Sequence, residues 1–137
     1  MGALDEINRL VATQGVIARR DHPELDTTLR YLVRRGTLVR VLPGVYAASD
    51  QAASPRTRVR ALRCFDPDAI LTGAIAARLS FWPELRVETI ECAVRHSRSP
   101  QPGYCFSRRQ IPPELVVCRG GIRYTSPALT ALDLCAR

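Results

Sequence analysis

The chain contains no lysine; all twenty of its basic residues are arginine. A restriction-type nuclease site uses two acids to hold a divalent ion beside a lysine, and that third group has no source here. No apolar run approaches the roughly 20 residues that cross a bilayer. The opening stretch MGALDEINRL has acids where a secretory leader has bases, so no targeting segment is read. No phosphate-binding loop, Gly-x-Gly-x-x-Gly run or Gly-x-Ser-x-Gly elbow occurs. These gaps point away from a membrane protein and from an enzyme. They leave a cytoplasmic chain with no cofactor and no metal as the expectation.

Paired cysteines are missing too. Cys64, Cys92, Cys105, Cys118 and Cys135 are odd in number, contain no Cys-x-x-Cys, and make no zinc spacing with His22 or His96. Cys92 and Cys118 lie in the apolar runs IECAV and LVVC and read as small buried hydrophobes. Acids are scarce relative to bases: 13 against 20, for a formal charge of +7. An excess of that size suits a polyanion, and the planar guanidinium fork matches phosphate and guanine edges. Hydrophobic residues make up 46% of the chain, enough for a packed core rather than global disorder.

The apolar periodicity then orders the elements. Residues 4–14 predict a helix with Leu4, Ile7, Leu10 and Val11 on one face, ended by Gly15. VIARRDHPEL allows only a short helix, because Pro23 breaks it. Asp26 reads as the cap of a helix over 26–35, with Leu25, Leu29, Leu32 and Val33 on one stripe and Gly36 after its end. The period changes to alternation in 38–41 and 45–48 around Pro43-Gly44, a β-hairpin. SDQAASP (49–55) is small and polar and reads as a linker. Ser54-Pro55 opens a helix, and Thr72 caps another over 73–81. Strands follow over 87–94, 104–108, 115–118 and 122–125. Ser126-Pro127 opens a last helix with Leu129, Leu132 and Cys135 facing inward. The expected fold class is α+β. Residues 1–49 form a winged helix-turn-helix, 50–55 a linker, and 56–137 a small mixed α/β domain.

The wording LRYLVRRGTLVRVLPGVYA resembles the N-terminal domain of the AbiEi family of antitoxins. There a helix ending in Arg-Gly, here Arg35-Gly36, runs into a hairpin closing with Gly-Val-Tyr, here Gly44-Val45-Tyr46. LTGAIAARL resembles the family's Ala-rich segment. Gly121, Thr125, Ser126, Pro127, Thr130, Asp133 and Leu134 resemble its Gly-x-x-x-Thr-Ser-Pro…Thr…Asp-Leu stretch. The resemblance implies a regulator of a type IV toxin–antitoxin operon that binds its own promoter, with a cognate toxin as protein partner. It also implies a relative without the nuclease-like C-terminal domain of longer members, whose antitoxin part is short.

A helix fits the major groove, so residues projecting from 26–35 are the candidate contacts with double-stranded DNA. Arg30 and Arg34 are assigned to base edges or nearby phosphates, with Tyr31 and Arg35 beside them. Thr27 and Thr28 at the helix start can donate to phosphate. Arg19 and Arg20 would grip the backbone from the preceding short helix, and Arg40 in the hairpin would reach a minor-groove edge or a phosphate. Tyr46 reads as an anchor of the wing. Catalytic candidates fall short. Glu88 and Glu91, three apart on a strand, point to opposite faces, and Pro67-Asp68 lacks a lysine partner. Asp133 reads as a hydrogen-bonding partner, and His22 and His96 have no placed nucleophile.

Overall fold

The computed structural model describes residues 2–136. Among the described residues, five α-helices and two β-sheets make an α+β fold. It divides into two compact units between Pro67 and Asp68. No helix among the described residues is long and apolar enough to cross a membrane.

In the first unit α1 (Ala3–Gln14) ends where Gly15 adopts φ +80°, a left-handed conformation that only glycine takes without cost. The next segment departs from the expected short helix. Ile17–Ala18 is a strand, β1, followed by single 3-10 turns at Arg19–Asp21 and Pro23–Leu25. Val16, Ile17 and Ala18 are all buried, and two β-branched residues in succession favour the extended form. α2 (Asp26–Arg35) follows directly, then β2 (Leu38–Leu42) and β3 (Val45–Ala48). β1 pairs antiparallel with β3, so the sheet has three strands in the order β1-β3-β2 instead of the two of a bare hairpin. The Arg19 N–H also donates to the Gly44 carbonyl at 2.8 Å, which ties the hairpin tip to the chain leaving β1. Leu25, Leu29 and Leu32 pack with Ile7, Leu10, Ile17 and Leu38 into the core of this unit.

The break expected over 50–55 is not where the units divide. These residues lead into α3 (Pro55–Phe65), whose first turn is capped by the Ser54 hydroxyl accepting from the Thr57 N–H at 3.1 Å. α3 packs on β2 and β3, burying Val59, Ala61 and Leu62, and so belongs to the first unit. A small, polar composition looks the same in a linker and in a tight turn.

The second unit holds β4 (Ile70–Leu71), α4 (Gly73–Ser80), β5 (Ile90–Ala93), β6 (Tyr104–Ser107), β7 (Val116–Arg119), β8 (Ile122–Thr125) and α5 (Pro127–Cys135). The sheet order is β6-β5-β4-β8-β7. β5/β6 and β4/β8 are parallel; β4/β5 and β7/β8 are antiparallel. Leu71, Ile90, Cys92 and Tyr124 are buried in it. Cys118 is exposed, against expectation, because β7 is an edge strand. Leu132 and Cys135 also face solvent. α5 turns Thr130 inward instead, where its hydroxyl lies 2.7 Å from that of Thr125 and donates to the Thr125 carbonyl at 3.1 Å. Both threonines are fully buried, so removing one hydroxyl strands the other without water. Thr130→Val is expected to lower the unfolding free energy by about 1–3 kcal/mol. Replacing Thr125 and Thr130 together by Val is expected to recover part of that loss, read from urea denaturation.

Candidate nucleic-acid interface

α2 is amphipathic by necessity: its leucine stripe is buried, so the other positions point outward. Thr27, Arg30, Tyr31, Arg34 and Arg35 are exposed and Thr28 is half-buried. Arg40 is exposed on β2. The structure thus leaves all but one of the candidate side chains on α2 exposed.

Their electrostatic states differ. Asp26 is not the helix cap. Leu25 occupies the cap position with no side-chain bond, because the Pro23–Leu25 turn runs straight into the helix and Asp26 already has helical φ −55° and ψ −46°, not the extended backbone of a cap. The Asp26 carboxylate instead serves two guanidinium groups, with Arg19 Nε 2.5 Å from Oδ1 and Arg30 Nη2 3.0 Å from Oδ2. The second contact is the i,i+4 pair that joins neighbours on a helix face. Arg35 donates to the Tyr31 hydroxyl at 2.8 Å and sits 5.7 Å from the ring centroid. That hydrogen bond pushes the Arg35 pKa up. Arg20 is turned elsewhere: Nη2 donates to the Cys64 carbonyl on α3, and Nε lies 4.0 Å from Asp21. It does not join the α2 group. Among the described residues, Arg34 and Arg40 have no carboxylate within ion-pair distance, which leaves their charge fully available to an anion.

A depression of about 430 Å³ lies between α2 and the sheet, lined by Arg19, Asp26, Arg30, Arg34 and Tyr46 among others. Tyr46 sits in β3 between Ile17 of β1 and Arg40 of β2. Sequence reasoning missed Asp26 as the organiser of two arginines. Its spacing to Arg30 is legible there, whereas Arg19 reaches it only through the turns at 19–25.

The second unit separates the acids weighed for catalysis. Asp68 lies 3.8 Å from Arg95 and 3.9 Å from Arg123. Glu91 accepts from the Ala74 N–H at 3.3 Å, and Glu88 lies 3.9 Å from Arg86. Asp133 is bonded by Arg109 at 2.8 Å, which pushes the Arg109 pKa up. A grouping of metal-ligand type stands in the first unit, where Glu6, His22 and Glu24 bring one donor atom each within 4.8 Å of one another. No motif spacing announced it, since Glu6 comes from α1.

Comparison of the chain with protein-family models, curated proteins and solved structures returns no match.

The Arg20 contact lies beside a thiol. Burial pushes the Cys64 pKa up, with the Asp21 charge adding to it, so the thiol stays protonated near neutral pH. Cys105, Cys118 and Cys135 are exposed and Cys92 is buried. Brief treatment with N-ethylmaleimide is expected to modify those three first and Cys64 and Cys92 last, read by mass spectrometry of the peptides.

Proposed function

We propose that this chain is a winged-helix DNA-binding regulator, acting in the cytoplasm as an antitoxin-like autorepressor of its own operon, with no catalytic activity of its own. The observation that carries this reading is the exposed face of α2, where Arg30, Tyr31 and Arg34 stand beside a hairpin bearing Arg40. The element order supports it: helix, short strand, 3-10 turns, helix, then a hairpin whose second strand pairs back to the short one. In such an arrangement α2 is the recognition helix and β2–β3 the wing.

The chemistry follows from the charge states. Arg34 and Arg40, free of carboxylates, meet phosphate or a base edge without first breaking a pair. Arg19 and Arg30 exchange one Asp26 carboxylate for phosphate oxygens. Arg30 and Asp26 are 66% and 27% exposed at their side chains, so their pairing is screened by water and contributes only about 0–1 kcal/mol. The phosphate field competes readily with it. Thr27 and Thr28 supply hydroxyls at the helix start.

A gel shift on a duplex from the upstream promoter tests the reading. Arg30→Ala with Arg34→Ala is expected to weaken binding by about 1–3 kcal/mol for each of the two that reads a base edge. Each of the two that instead meets a phosphate is expected, once replaced, to flatten the salt dependence by roughly one unit of log–log slope. Binding and slope both unchanged would mean that α2 does not touch DNA. Asp26→Asn is expected to act oppositely: it removes the competing negative charge and tightens non-specific binding severalfold, measured by fluorescence anisotropy on random-sequence duplex.

A second, compatible reading has the second unit dock onto a toxin protein. It is favoured by the large apolar side chains exposed there, Leu79, Phe81, Trp82 and Leu132. Co-purification with the product of the neighbouring gene, weakened by Trp82→Ala or Leu132→Asp, is the expected outcome.

A further inference from the structure

The strand directions in the second unit gather arginines that are far apart in the chain. β5 and β6 run parallel, and Arg95 and Arg108–Arg109 follow their C-terminal ends. β4 and β8 run the other way, so Asp68 just before β4 and Arg123 near the start of β8 reach the same edge of the sheet. The result is a cleft of about 600 Å³ whose charged lining is four guanidinium groups and one carboxylate, Asp68. Its wall is apolar, from Ile70, Ala93, Val94, Ile111 and Val116. Ile70 lies directly between Ala93 and Arg123 across the sheet, which sets an apolar floor against a charged side.

Asp68 does not neutralise this cleft. Its contacts to Arg95 and Arg123 are long, 3.8 and 3.9 Å, between side chains at least 43% exposed. Arg108 is oriented by the Ser97 hydroxyl at 3.3 Å and Arg109 by Asp133 at 2.8 Å. Two guanidinium planes are therefore held in place, and two are held loosely by a carboxylate that a stronger anion can replace. A phosphate monoester is such an anion, because it carries nearly two negative charges near neutral pH and its three terminal oxygens can meet more than one arginine fork. The volume and the mixed lining suit a small organic molecule inserted into the cleft.

We propose that this cleft binds a small phosphate monoester of the mononucleotide class, whose organic body turns an apolar face to the wall. The phosphate sits among Arg95, Arg108, Arg109 and Arg123, and the body lies against Ile70, Ile111 and Val116. The site lies wholly within the second unit and is independent of the DNA-binding reading of α2.

The test is isothermal titration calorimetry of the full chain with adenosine 5′-monophosphate, adenosine and inorganic phosphate. The expected result is saturable binding of the monophosphate, at least about tenfold tighter than adenosine or inorganic phosphate alone, since each lacks one half of the contacts. Arg95→Ala with Arg123→Ala is expected to weaken it by about tenfold or more, and Asp68→Asn to tighten it by removing the competing carboxylate. The altered arginines are solvent-facing, and circular dichroism checks that the variants are folded. Arg95→Lys with Arg123→Lys serves as a milder pair, expected to weaken binding because the fork is gone. The proposal is overturned if the monophosphate does not saturate, if folded arginine variants bind it unchanged, or if only a 5′-phosphorylated oligonucleotide binds.

Discussion

The arrangement of the first unit depends on one constraint, the burial of a leucine stripe. Leu25, Leu29 and Leu32 are at most 5% exposed against Ile7, Leu10, Ile17 and Leu38. Each such side chain stabilises the fold by roughly 1.5–3 kcal/mol relative to exposure. With that stripe buried, the 3.6-residue period leaves Thr27, Arg30, Tyr31, Arg34 and Arg35 no place except solvent. The cationic face is thus a consequence of the core, and any anion that meets the molecule there meets it because the leucines are elsewhere.

Asp26 adds a second level of order. A lone carboxylate among arginines lowers the local charge without cancelling it, and it fixes where two long, flexible side chains rest. Arg19 is also held through its backbone by the hairpin tip, so α2, the turns before it and the β2–β3 loop are linked by polar contacts as well as by packing. Asp68 plays a comparable part in the second unit with Arg95 and Arg123, at longer range. In both units one acid spaces a pair of arginines and leaves the pair with a net positive charge. Guanidinium groups stay charged at any physiological pH, so paired acids and geometry set how much of that charge is available.

The helices and the hairpin are readable in the sequence because each repeats its period several times. α1 starts one residue earlier than its pattern, α2 and β3 match theirs at both ends, and the Ser-Pro openings of α3 and α5 do form caps. β1 and β4 escape because two residues have no period. Cys118 and Leu132 turn the other way for a different reason: an apolar residue on an edge strand or a terminal helix carries no mark of whether anything covers it.

By itself the sequence determined which residues form α2, which of its faces is apolar, and that the chain carries an excess of arginine, since these are local and additive properties. Only the tertiary structure decided which arginines are paired. Arg19 with Asp26, Arg20 with the Cys64 carbonyl, Arg109 with Asp133, and the gathering of Arg95, Arg108 and Arg123 at one sheet edge all join positions that are distant or unpatterned in the chain. Such contacts arise from strand direction and the path of turns, and no residue spacing encodes them.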